Sequence, residues 1–127
     1  MVKSVIVLAD DDSSMREALA AALEANGFEV VSASTGDKAV EVARRREAEA
    51  IISDVSMPDG DGFDVLTAVS HDSPEIPVIF VSGHTERAVR ERALEAGAAA
   101  YLLKPISVGQ LMTTLDDVLA RRRPAQR

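Results

Sequence analysis

No cysteine occurs in the 127 residues, so a disulfide framework and a thiolate metal site are both closed to this chain. Tryptophan is absent and aromatic residues make up only 3%, which leaves a core of aliphatic side chains and alanine. Long apolar runs are missing as well; none approaches the ~20 residues that a membrane-spanning helix needs. The N-terminus carries neither the apolar stretch nor the small-residue cleavage site of a signal peptide. A cytoplasmic protein with no membrane partner is the expectation. Excess positive charge is also lacking. The net charge is −7, which argues against general affinity for nucleic acid, although the segment "ARRRPAQR" is locally basic. No repeat, linker or low-complexity segment interrupts the chain. What is present is about one domain's length of sequence, 46% hydrophobic and 28% charged, enough to bury a core unaided.

Short apolar runs alternate with amphipathic segments. The runs are "SVIVLA" (4–9), "FEVVSA" (28–33), "AIISD" (50–54), "PVIFVS" (77–82) and "AAYLLK" (99–104). All but the second are nearly continuous in apolar character, as parallel strands covered on both faces are. Helices fill the gaps. Ser13 or Ser14 can cap a helix with Met15, Leu19, Ala22 and Leu23 on one face, closed by Gly27. Residues 35–47 place Ala39, Val40 and Ala43 at helical spacing, and 62–70 forms a short helix around Val65 and Leu66. Residues 85–96 carry Ala88, Val89, Ala93 and Leu94, and 107–121 carries a stripe from Val108 to Leu119 with arginines in its last turn. Five strands alternating with five helices predict an α/β domain over 1–121 with a doubly wound parallel sheet, followed by a basic tail, 122–127.

In such a sheet, ligands sit beyond the carboxyl ends of the strands. The first strand delivers Asp10 and Asp11 to that rim, the third Asp54, the fourth Ser82 and the fifth Lys104, followed by Pro105. Like charges so close push one pKa upward unless something positive joins them. A hard divalent cation bound through oxygen meets that need, and Mg²⁺ suits a site with few protein ligands. A carboxylate can also act as a nucleophile and carry an acyl phosphate, with a cation, an ammonium and a hydroxyl stabilising the transferring group.

The segments "VLADDDSSMR", "IISDVSMPDGDGFDVL", "VIFVSGH" and "AGAAAYLLKPIS" resemble the receiver domain of two-component response regulators, the family of the chemotaxis response regulator. The resemblance runs from Val5 to Arg121 with all motifs in order. It implies a flavodoxin-like fold with strand order 2-1-3-4-5 and an Mg²⁺-dependent phosphorylation switch, rather than a turnover enzyme; with only six residues after Arg121, a stand-alone module is the expectation. By the same resemblance Asp54, before Met57 and Pro58, is the phospho-acceptor. Asp11 is the acidic metal ligand, Asp10 holds metal waters, and the Ser56 backbone carbonyl completes the metal site. Ser82 and Lys104 hold the phosphoryl group, Lys104-Pro105 is similar to the family's cis junction, and Tyr101 is the aromatic switch residue that turns inward. Asp12 matches a variable position. The implied partners are a sensor histidine kinase or a histidine phosphotransfer protein, and a downstream protein met by the fourth helix, fifth strand and fifth helix. Ser56 and His84, each two residues beyond a site residue, are candidates for tuning the phosphoryl lifetime.

Other readings of the same residues are available. "PDGDGFD" hints at a calcium loop, but Asp64 stands where the template needs glycine. Asp10-x-Asp12-x-Ser14 resembles the nucleophile motif of haloacid-dehalogenase-type phosphatases, making a small Mg²⁺-dependent phosphatase with Asp10 as nucleophile the alternative function. That family needs a further acidic pair after a later strand, whereas Asp116 and Asp117 fall inside the last helix. A pseudo-receiver that binds partners without phosphorylation would not need the intact acids, Ser82 and Lys104. His71, in "SHDSPEIP", reads as a solvated side chain in a polar loop.

Overall fold

A computed structural model describes residues 3–10, 12–56 and 62–122. The strands are β1 (Val5–Ala9), β2 (Glu29–Ala33), β3 (Ala50–Ser53), β4 (Val78–Ser82) and β5 (Ala100–Leu103). The helices are α1 (Ser13–Ala25), α2 (Gly36–Arg46), α3 (Gly62–Asp72), α4 (Arg87–Glu95) and α5 (Val108–Arg122). All strand pairs are parallel, in the order β2-β1-β3-β4-β5. The parallel, doubly wound sheet is the one expected from the alternating pattern, and its order is the one the resemblance implied.

The apolar runs reach both faces because successive side chains point to opposite sides. Val5, Val7, Ile51, Val78, Phe80 and Tyr101 pack beneath α2, α3 and α4. Ile6, Leu8, Ile52, Ile79, Val81 and Leu102 pack beneath α1 and α5. Inner strands β1, β3 and β4 are buried at every residue, whereas β2 is buried only at Ala33. That is why its sequence alone broke the apolar run.

Helix starts differ from the expectations in two places. α1 is capped by Asp12, whose carboxylate accepts the Met15 N–H, rather than by Ser13 or Ser14. Asp12 is thus a capping acid with a local structural task. α4 begins at Arg87, two residues later than expected, with Glu86 extended and making no capping bond. Thr85 lies outside the helix, and a glutamate is a poor N-cap. α3 runs on to Asp72, so His71 is an exposed residue of its last turn rather than of a loop. In the last turn of α5, Arg121 pairs with Asp117 at 3.4 Å; Arg123 lies outside the described residues. α1 and α4 give way to Gly27 and Gly97, both at positive φ.

Candidate functional site

The sheet's own hydrogen bonds extend just past the strand ends and fix the rim. Asp10 N–H donates to the Ala33 carbonyl at 3.2 Å, Asp54 N–H to Ala9 at 2.9 Å, and Lys104 N–H to Ser82 at 2.8 Å. Asp10, Asp54 and Lys104 therefore hold side-by-side positions although they lie far apart in the chain. The Lys104-Pro105 bond is cis, as the resemblance implied.

Lys104 Nζ donates to Asp54 Oδ2 at 2.8 Å and to Asp10 Oδ2 at 3.2 Å. The Asp10 side chain is 3% exposed, that of Asp54 13% and that of Lys104 20%. The ammonium places one positive charge between two neighbouring carboxylates in a largely dry place. Burial by itself favours the neutral amine and lowers the pKa of Lys104. The hydrogen bond to Asp54, the charge of Asp54, and the charge and hydrogen bond of Asp10 outweigh that and hold it above the usual lysine value.

The remaining carboxylate oxygens have backbone partners. Asp10 Oδ1 accepts from Asp12 N–H at 2.9 Å, and Asp54 Oδ1 accepts from Ser56 N–H at 3.2 Å. Arg16, on α1, donates to the Asp10 carbonyl at 2.6 Å. Arg16 was not among the residues picked from the sequence; its place one helical turn beyond Asp12 was the available signal. Gly62 was likewise missed. A Cβ there would lie 2.7 Å from both the Asp54 carbonyl and the Phe80 ring, and Gly62 N–H donates to the Val55 carbonyl at 2.7 Å. Only a residue without Cβ lets α3 start against the backbone of Asp54.

Ser82 is fully buried, and its Oγ accepts from His84 N–H at 3.0 Å. Tyr101 is already inward, 8% exposed, and its hydroxyl donates to the His84 carbonyl at 2.9 Å. Ser56 and His84 meet directly, Oγ to Nε2 at 3.1 Å, and His84 Nδ1 lies 3.5 Å from Glu86. The two residues singled out as tuning candidates thus form one contact beside Asp54.

Asp11, Met57 and Pro58 lie outside the described residues. Among those described, no three acidic, histidine or cysteine side chains gather as a metal-holding group. The donors present, carboxylates of Asp10 and Asp54 with the Ser56 carbonyl nearby in sequence, are hard oxygens of the kind Mg²⁺ takes while keeping waters. The donor set fits that ion. The phosphatase alternative gains nothing here, because its nucleophile, Asp10, is almost wholly enclosed and engaged by Lys104. A broad cleft of about 1080 Å³ lies at the opposite ends of the strands, beside Glu49, Pro74, Gly97 and Asp116, and contains none of the rim residues.

The response regulator receiver domain family matches residues 6–116. Transcriptional regulatory protein PdtaR of Mycobacterium tuberculosis is 35% identical over 120 residues, covering 93% of this chain and 58% of that protein. Transcriptional regulatory protein PrrA of the same organism is 35% identical over 117 residues, covering 92% of this chain and 50% of that protein. The chain thus spans between half and three-fifths of the length of these relatives. The crystal structure of a response regulator receiver domain protein from Clostridium thermocellum superposes with a TM-score of 0.91 at 26% identity, covering 97% of this chain and 99% of that one.

Proposed function

This chain belongs to the response regulator receiver domain family, and on that premise we propose that Asp54 accepts a phosphoryl group from a phosphohistidine and that the domain switches conformation in response. Receiver domains of this family are generally signalling switches, typically bind Mg²⁺, and interact with histidine kinases or phosphotransfer proteins. The observation that carries the reading is the ammonium of Lys104 held between Asp54 and Asp10 at 2.8 and 3.2 Å.

In the proposed step an Asp54 carboxylate oxygen attacks the donor's phosphorus. An O–P bond forms, the N–P bond breaks, and the histidine nitrogen keeps the electron pair. Lys104 stabilises charge on the transferring group and then pairs with a phosphoryl oxygen. Ser82 donates its hydroxyl proton to another. When bound, Mg²⁺ supplies charge neutralisation of the phosphoryl oxygens, with Asp10, Asp11, Asp54 and the Ser56 carbonyl as its proposed holders. Donor and output partner are proteins of the cytoplasm in this reading, and the output surface comprises α4, β5 and α5. No helix among the described residues is long and apolar enough to cross a membrane.

Acetyl phosphate with Mg²⁺ should add one phosphoryl group by mass spectrometry. Asp54→Asn should take up none, and Asp11→Ala or chelation of the metal should leave little. Full labelling of Asp54→Asn would falsify the assignment. We also assign the Ser56–His84 contact a share in the phosphoryl lifetime, because it stands where water must approach. Replacing both residues should change the dephosphorylation rate by more than about twofold; a smaller change removes that role.

A further inference from the structure

Three rings and one guanidinium form a continuous line through the face covered by α2, α3 and α4. Tyr101 on β5 meets Phe80 on β4 edge-on, with centroids 6.5 Å apart at 88°. Phe80 meets Phe63 on α3 at 5.6 Å and 57°. The guanidinium carbon of Arg92, on α4, lies 4.0 Å from the centroid of Phe63, well within the range at which a ring face attracts a cation. Of three phenylalanines and one tyrosine in the sequence, only Phe28 stands outside this line.

α4 has few other anchors. Of its nine residues only Ala93 is buried, and its N-terminus has no side-chain cap bond. The ion pair Arg87–Glu91, at 3.5 Å, stays within the helix, and Leu94 remains 37% exposed. Phe63, in contrast, cannot follow a moving α4. It rides on α3 next to Gly62, whose close approach to Asp54 and Phe80 pins the helix start.

We propose that the Arg92–Phe63 contact is a latch that holds α4 in its resting position, so that its strength sets how readily phosphorylation moves the helix. This rests on the proposed switch. Moving α4 takes the guanidinium off the ring. A cation–π contact of the strength usual at exposed sites biases a two-state equilibrium about two- to fivefold. That is enough to tune a switch and too little to block it.

The test uses Arg92→Ala, Phe63→Leu, the double variant and Arg92→Lys in the full chain. Phe63→Leu keeps apolar bulk and removes the ring face. Amide hydrogen exchange is compared between α4 and α2, and the affinity for beryllofluoride, a phosphoryl mimic, is measured with Mg²⁺ by NMR titration. Arg92→Ala should raise exchange across 87–95 and leave 36–46 unchanged. It should tighten beryllofluoride binding about two- to fivefold. The double variant should gain no more than either single one, and Arg92→Lys should keep most of the latch. Unchanged affinity in Arg92→Ala overturns the proposal, as do additive effects in the double variant. Weaker binding overturns it too, since the contact would then belong to the switched state. Should Phe63→Leu fail to fold, the two surface Arg92 variants decide by the same criteria. A wild-type chain that takes up no beryllofluoride overturns the proposed function instead, and exchange in α4 then decides whether the latch exists.

Discussion

α2 and α4 cover the same face of one sheet, yet they are fastened differently. α2 is capped by Thr35, buries Gly36, Ala39 and Ala43, and reaches other elements through Arg44–Asp72 and Arg46–Glu29, each at 2.6 Å. α4 has no capping bond and buries Ala93 alone. The ion pairs of α2 are solvent-exposed and contribute ~0–1 kcal/mol each. The cap and the buried small residues make the larger difference. The loosely fastened helix is the one that follows Ser82 and His84, where a change at Asp54 would first be felt. In the proposed switch, the helix with fewer anchors lies where motion is needed.

The largest expected effect separates the two helices outright. Beryllofluoride should shift amide signals from Ser82 through Leu103 far more than those of α2. Ser82→Ala should keep phosphorylation and lose most of that response, because in the proposed switch the hydroxyl is the group a phosphoryl oxygen draws. A full response without the hydroxyl would show that α4 is driven by some other route.

Exchanging the caps should narrow the contrast by a smaller amount. Thr35→Ala removes the acceptor of the Lys38 N–H and should lower stability by about 1 kcal/mol in urea unfolding. Glu86→Asp offers α4 a side chain of capping length and should gain about 0.5–1 kcal/mol, with slower amide exchange in its first turn. If α4 exchange stays the same with aspartate in place, the missing cap is not what loosens it.

The smallest effect concerns the rim against which both helices are compared. Lys104 holds its proton more tightly folded than unfolded, so its pairing contributes fully below the ordinary lysine pKa. That contribution fades as pH climbs through the raised value. In metal-free buffer Lys104→Met should therefore lose less stability than wild type between neutral and strongly alkaline pH. Equal losses would mean that the ammonium adds nothing to folding.

Much of this was legible in the chain itself. Apolar runs named all five strands, and the one broken run is β2, an edge strand buried only at Ala33, because a buried face excludes polar residues wherever it lies. The rim was legible for a similar reason: in a parallel sheet every strand ends on the same side, so residues just past strand ends become neighbours. Asp10, Asp54, Ser82 and Lys104 could be grouped from order alone. Local competition was harder to read. Asp12, Ser13 and Ser14 are all capping residues, and which one caps depends on where the backbone turns out of β1.

Contacts that join distant segments through side-chain direction were decided only by the tertiary structure. Nothing in the sequence says that one ammonium meets both carboxylates, that Ser56 and His84 touch, or that Tyr101 already lies inward. Gly62 carries no mark that distinguishes a close approach from an ordinary helix start. Arg92 sits in a polar helix as one arginine among several, and only packing brings Phe63 beneath it. Periodicity records which face a residue occupies, since burial acts on every residue of that face alike. Partners across the fold depend on rotamers and on ångström-scale helix placement, which act on pairs and leave no period behind.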